Sequence, residues 1–254
     1  MLFWQAEEPY GFSRWILTSH HTMGKCGRGL SCKTGKEENA MPVTGLSIGE
    51  KILGTQELWR PLLLEWSIVL DQFALVSGSD LAQWHAERPN IGFLAAAAWR
   101  LGRKACAVEE YREDWKPNVR GRPDLWIRVG DQDVCVEAKR HSIRGASASD
   151  MEKARIKLEA AAGQVRKRGR RQARQGMAIC FLGIRVERSR PNREVEQIDE
   201  ITRQLMRTFS NPKNIVCVSQ LQDEIRLERR KKRPILAFVP AGMALVGKQV
   251  WAKP

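Results

Sequence analysis

Asp124, Glu137 and Lys139 are the residues whose types and spacing most suggest chemistry. They lie in GRPDLWIRVGDQDVCVEAKR (residues 121–140), among apolar residues of strand character, where uncompensated charge is costly. Leu125, Ile127 and Val129 alternate with Asp124, Trp126 and Arg128. After Gly130-Asp131 the alternation resumes, with Val134, Val136 and Ala138 against Asp133, Cys135, Glu137 and Lys139. This period of two predicts two strands. A two-residue turn with Gly130 first predicts that they form a hairpin, because glycine takes positive φ at no steric cost. If Val129 opposes Gln132, then Asp133 faces Arg128, Cys135 faces Trp126, and Glu137 faces Asp124. Opposed residues in an antiparallel pair share one side of the sheet, with Cβ atoms about 4.5–5.5 Å apart, and Lys139 joins that side two residues on. A three-residue turn would send alternate side chains to the other face and disperse the set. Two carboxylates so placed repel unless a cation lies between them. Oxygen-only ligands suit a hard ion such as Mg²⁺, which takes one or two carboxylates, keeps several waters and completes its shell with substrate phosphate.

Pro123-Asp124, twelve residues, then Glu137-Ala138-Lys139 resembles the PD-(D/E)xK motif of the restriction-endonuclease-like nuclease superfamily. The resemblance implies Asp124 and Glu137 as ligands of Mg²⁺, with Mn²⁺ able to substitute, the Ala138 backbone carbonyl as an additional ligand, and Lys139 as the catalytic amine that orients the attacking water. It implies an α/β fold, a central mixed β-sheet flanked by helices in the order αβββαβ, over about residues 87–186. It also implies a further acid near the first core helix or strand, for which Glu87, Glu110 and Glu109 are the candidates. Glu87 also suits a helix N-terminus electrostatically, and one of two adjacent strand glutamates faces solvent in any case. Gln164, on the helix after the Lys strand, stands where some relatives carry a Gln that contacts the site or DNA.

The charge balance agrees with a polyanionic partner. The 254 residues carry 43 Lys and Arg against 29 Asp and Glu, a formal net charge of +14, which favours nucleic acid. From Ala160 to Val186 no acidic residue offsets Arg166, Lys167, Arg168, Arg170, Arg171, Arg174 and Arg185, and such a run repels itself unless a polyanion neutralises it. These cations are read as phosphate contacts, and RRKKR at 229–233 as a second patch. His141 shares the face of Lys139 and is a further candidate for phosphate.

Six scattered cysteines, several in apolar runs, suit free thiols and a reducing cytoplasm. The most apolar run, PLLLEWSIVL, is too short for a bilayer and carries Glu65. Two His and two Cys in residues 20–32 fit no common zinc-finger spacing.

Around the hairpin, residues 1–45 read as a disordered tail, and Met41 is an alternative start. Residues 46–86 read as a helical extension, and 87–254 as the nuclease-like domain. Pro89 opens a helix that Gly102 caps, and KACAVEEY is a strand. After the hairpin, Ser149 and Glu152 form a capping box for a helix whose apolar stripe is Met151, Ala154, Leu158, Ala161 and Val165. MAICFLGIRV is a buried strand, REVEQIDEITRQLMRTF an amphipathic helix, and NIVCVSQL and RPILAFVPAG are further strands.

The reading is a Mg²⁺-dependent DNA endonuclease of restriction, defence or repair type, and double-strand cleavage by one site per chain would call for a homodimer. The alternatives are a non-catalytic basic nucleic-acid-binding protein and an RNA-directed nuclease with the same core. A small-molecule enzyme lacks support, since no Gly-rich phosphate loop, G-x-S-x-G elbow or HExxH is present.

Overall fold

Gly130, with φ of +57°, turns the chain between β3 (Leu125–Val129) and β4 (Gln132–Ile143). Leu125 pairs with Val136, Ile127 with Val134 and Val129 with Gln132, so the hairpin has the register that alternation predicts. The computed structural model describes residues 43–77, 80–110, 122–168, 173–189, 191–222 and 237–253. The reading of residues 1–42 as a tail, the His/Cys cluster at 20–32 and the basic run at 229–233 lie outside them.

Among the described residues seven strands form one sheet in the order β1-β6-β7-β5-β4-β3-β2. Besides the hairpin these are β1 (Val43–Ile48), β2 (Ala105–Glu109), β5 (Gln175–Glu187), β6 (Asn214–Gln220) and β7 (Phe238–Ala252). β4 and β5 run parallel and the other pairs antiparallel, so the sheet is mixed. The helices are α1 (Arg60–Ser77), α2 (Glu87–Arg100), α3 (Ala148–Arg168) and α4 (Pro191–Thr208). The protein is therefore α/β, a seven-stranded mixed sheet flanked by helices, and α2-β2-β3-β4-α3-β5 run in the order α-β-β-β-α-β.

Alternation along the strands sorts the core into two layers. Met177, Ile179 and Phe181 of β5 join Val134, Val136 and Ala138 of β4 under α1 and α2. Ala178, Cys180 and Leu182 meet α3 and α4 on the other face. The stripe on α3 is buried as its three- and four-residue spacing requires, Met151, Ala154, Leu158, Ala161 and Val165 all lying in that second layer.

Several expectations are corrected. Residues 43–48 are an edge strand paired with β6, so helix does not account for the whole segment before residue 87. Nor is that segment peripheral: Trp59, Leu62, Leu63 and Trp66 are fully buried in the core shared with the sheet. Trp59 Nε1 also donates to Gln175 Oε1 across the layer at 3.3 Å. The start of α3 is held by Ser147, whose Oγ accepts from Asp150 N at 3.1 Å, rather than by a Ser149–Glu152 box; Glu152 binds Arg155. β7 extends ten residues beyond Gly242 and lies between β5 and β6 in mid-sheet.

Candidate active site

The length mismatch of the hairpin creates the site. β3 stops at Leu125, opposite Val136, while β4 continues to Ile143, so among the described residues no strand lies beside this edge of β4 from Glu137 onward. Asp124 lies one residue before β3 and reaches across this gap, its Oδ2 accepting from Ala138 N at 2.8 Å. The Ala138 peptide groups therefore face the open edge. Lys139 Nζ donates to the Ala138 carbonyl at 2.6 Å and lies 3.1 Å from Glu87 Oε1. Glu137, 2 % exposed, precedes Ala138 on β4, beside Ala178 of β5.

Glu137 and Lys139 are carried by β4, while Glu87 and Asp124 come to it from other parts of the chain. Glu87 is the first residue of α2, where a carboxylate is stabilised by the helix dipole and also reaches Lys139. Asp124 is held by its hydrogen bond to β4 and by its own carbonyl, which accepts from Glu110 N at 3.1 Å. Behind the site, burial pushes the Cys180 thiol up to about 12; Glu87 adds to that effect, while Lys157 and Lys139 oppose it. Lys157 of α3 thus belongs to the same electrostatic neighbourhood as Lys139 and Glu87.

Other candidates lie elsewhere. Glu110, in the left-handed region with φ of +51°, pairs with Arg88 and with Arg122 at 3.8 Å, so its carboxylate is engaged by arginines rather than turned toward Lys139. Glu109 Oε1 packs near Gly92 of α2. On the basic run, Gln164 and Lys167 are exposed, Arg166 Nη2 lies 3.5 Å from Glu159 Oε2, and Arg174 N donates to Asp133 Oδ1 at 2.9 Å. The side chain of Arg168, and Arg170 and Arg171, lie outside the described residues.

The described parts of this run lie toward the hairpin-turn end of the sheet, away from the site. Val165 packs against Gly176 at the start of β5, and Arg174 meets Asp133 near the hairpin turn. At about 3.3 Å per residue, the six positions from Asp133 to Lys139 span roughly 20 Å. The crossover helix carries the cations away because β4 and β5 are parallel, so α3 runs back from the end of one strand to the start of the next. The cations that border the site are instead Arg140, Arg144, Lys153 and Lys157, which line a pocket with His141, Ser142 and Asp150. Lys153 and Lys157 at i,i+4 on the first turns of α3 were the available sequence signal, masked by the denser run farther along.

Among the described residues no group of three or more His, Cys, Asp or Glu side chains is placed to hold a metal ion. The donors at the edge of β4 are two carboxylates, Asp124 and Glu137, and the Ala138 carbonyl, all hard oxygens. Such a set fits Mg²⁺, which takes few protein ligands and shares the rest of its shell among water and phosphate. No protein-family model matches the chain, and neither does any curated protein or solved structure. Among the described residues no helix is long and apolar enough to cross a membrane.

Proposed function

We propose that the chain is a divalent-cation-dependent nuclease of PD-(D/E)xK type, with a restriction-endonuclease-like core, that hydrolyses DNA phosphodiester bonds. The observation that carries this reading is the clasp on one residue: Asp124 on the N–H of Ala138 at 2.8 Å and Lys139 on its carbonyl at 2.6 Å. A carboxylate and an ammonium are thereby drawn to one open strand edge beside Glu137.

Asp124, Glu137 and the Ala138 carbonyl are the groups that would hold Mg²⁺, which when bound polarises the scissile phosphate and lowers the pKa of a coordinated water. Asp124 is held in place by the Ala138 N–H, so its second oxygen has a fixed direction. Lys139 is tethered by Glu87 and presents its ammonium at the same edge, where it hydrogen-bonds the attacking water and stabilises charge developing on phosphate oxygen. The attacking water gives up a proton to bulk solvent as its oxygen bonds to phosphorus, and the bond from phosphorus to the 3′-oxygen breaks. The leaving alkoxide takes a proton from solvent, and the products are 5′-phosphate and 3′-hydroxyl ends.

Incubation of the purified chain with Mg²⁺ and plasmid, linear duplex, single-stranded DNA or RNA tests the proposal. Cleavage abolished by Asp124→Ala and by Lys139→Ala supports it. An RNA-directed nuclease is distinguished by substrate competition. A non-catalytic binder, favoured by the net charge of +14, predicts steeply salt-dependent binding with no metal requirement and no cleavage.

A further inference from the structure

Beyond Lys139, β4 ends in Arg140, His141, Ser142 and Ile143, followed by Arg144, and α3 returns over it with Asp150, Lys153 and Lys157. Together Arg140, His141, Ser142, Arg144, Asp150, Lys153 and Lys157 line an open pocket of about 480 Å³. Its fixed charges are four cations against one carboxylate, and that carboxylate is already used, Asp150 Oδ2 accepting from Arg144 N at 3.0 Å. Among the described residues Lys153 and Lys157 make no ion pair, and both are exposed. Arg185 of β5 lies close enough to Arg144 and Arg140 that both add to the burial that pulls its guanidinium downward. The walls also hold neutral hydrogen-bonding groups, the Ser142 hydroxyl and the His141 imidazole, whose Nε2 is buried without a hydrogen-bond partner among the described residues.

Self-repelling cations converging on a concave surface with hydroxyl and imidazole groups match a phosphate group in charge and in donor chemistry. Arg offers a planar fork to such an anion and Lys a mobile point charge. The pocket opens on the same strand as the candidate active site. Ser142 is three residues past Lys139, roughly 10 Å along the strand, so a polynucleotide whose scissile phosphate lay at Lys139 would carry a neighbouring phosphate of the same strand into this space. We propose that the pocket formed by the end of β4 and the first turns of α3 is a phosphate subsite that anchors the polynucleotide beside the cleavage position. This assignment rests on the nuclease reading for its polynucleotide, but the pocket's taste for phosphate does not depend on cleavage.

The test uses the full chain in EDTA, so that no hydrolysis occurs. The His141 ring proton signals, assigned by their loss in His141→Gln, are followed by NMR as inorganic phosphate is added. They should shift saturably in the wild type and much less in the Lys153→Gln/Lys157→Gln double variant. In parallel, anisotropy with 3′-labelled oligonucleotides bearing a 5′-phosphate or a 5′-hydroxyl should show the double variant binding about tenfold more weakly at low salt, with the slope of log K against log salt reduced by about one or two. An Arg166→Gln/Lys167→Gln control should bind close to the wild type. Loss of a wild-type preference for the 5′-phosphate places a strand end in the pocket, whereas equal weakening of both oligonucleotides places an internal phosphate there. Either supports the subsite. Circular dichroism and thermal melts confirm folding of both variants. Unperturbed His141 signals, or binding unaffected by Lys153→Gln/Lys157→Gln, overturn the assignment even if the protein cleaves DNA. Phosphate binding by a protein that never cleaves leaves the subsite standing and removes the nuclease.

Discussion

Lys139 Nζ lies 3.1 Å from Glu87 Oε1, tying the first turn of α2 to the strand that carries Glu137. The two side chains are 24 % and 34 % exposed, so the pair is partly screened and its value is more one of aim than of stability. In the proposed nuclease Glu87 would be a positioning residue that acts through Lys139.

Glu87→Ala is expected to slow cleavage about tenfold through loss of that aim. The effect should vanish in a Lys139→Ala background, where there is no ammonium left to position. A double-mutant cycle on kcat, with melting curves for each variant, checks this. Additive losses would mean that Glu87 acts by another route.

Gly130 makes the hairpin turn with φ of +57°, and a Cβ there would meet nothing within 4 Å. Replacement by Ala therefore costs backbone strain alone, about 1–2 kcal/mol, while Asn, which tolerates this region better, costs less. Gly176→Ala presents a different problem, since its Cβ would lie 2.4 Å from a Trp251 ring atom and 2.7 Å from a Val165 methyl. Urea titrations of the three variants should rank Gly130→Asn as the mildest.

Burial pushes the thiols of Cys180 and Cys217 up to about 12, so at pH 8 only about one in ten thousand is thiolate. Iodoacetamide applied to the native protein should leave both unmodified, with labelling after unfolding in guanidinium. Mass spectrometry of tryptic peptides reads this directly. Rapid native labelling of Cys180 would mean that the floor of the site opens to solvent.

Burial pulls the His141 imidazole down; Asp150 of α3 opposes this, while Lys153 and Lys157 of α3 and Arg140 of β4 reinforce it. The folded state then binds its proton less readily than the unfolded state. Stability contributed by the neutral ring is complete above the ordinary value of about 6.5 and is lost as pH falls through the lowered folded value. Wild type should therefore lose more stability between pH 7.5 and 5.5 than His141→Gln does. Saturating phosphate should narrow the difference, because an anion in the pocket favours the imidazolium.

What could be read from the sequence was the local part. Period-two alternation broken by one glycine fixes the β3–β4 register from Leu125–Val136 to Val129–Gln132, but not a strand pairing of Asp124 with Glu137: Asp124 lies before β3 and bonds Ala138 N instead. The open edge on which the site depends was not legible, because it comes from β3 being shorter than β4, and strand ends are set by what packs beside them. β1 was missed because VTGLSI is short and holds Gly45, where a Cβ would lie 2.6 Å from Met206; only its fit against β6 and α4 makes it a strand. The length of β7 is not legible in the sequence because Gly242 and Gly247 interrupt its strand pattern. Pro240 is accommodated by a register shift opposite Ile184 and Arg185, and Gly242 by the close approach of the Ser219 carbonyl, 2.3 Å from where a Cβ would stand. The density of cations on residues 166–174 pointed to the far end of α3, because charge counting along a chain does not record which way a crossover helix runs.

Asp124, Glu137 and Lys139 are proposed to act together at the open edge of β4 to hydrolyse phosphodiesters with a divalent cation. The most direct test is the rate of DNA cleavage with and without Mg²⁺ by wild type, Asp124→Ala, Glu137→Ala and Lys139→Ala, each shown to be folded. Cleavage should depend on Mg²⁺ and fall about a hundredfold or more in every variant. Absence of cleavage on every DNA substrate, or cleavage that persists undiminished in the folded variants, would contradict it.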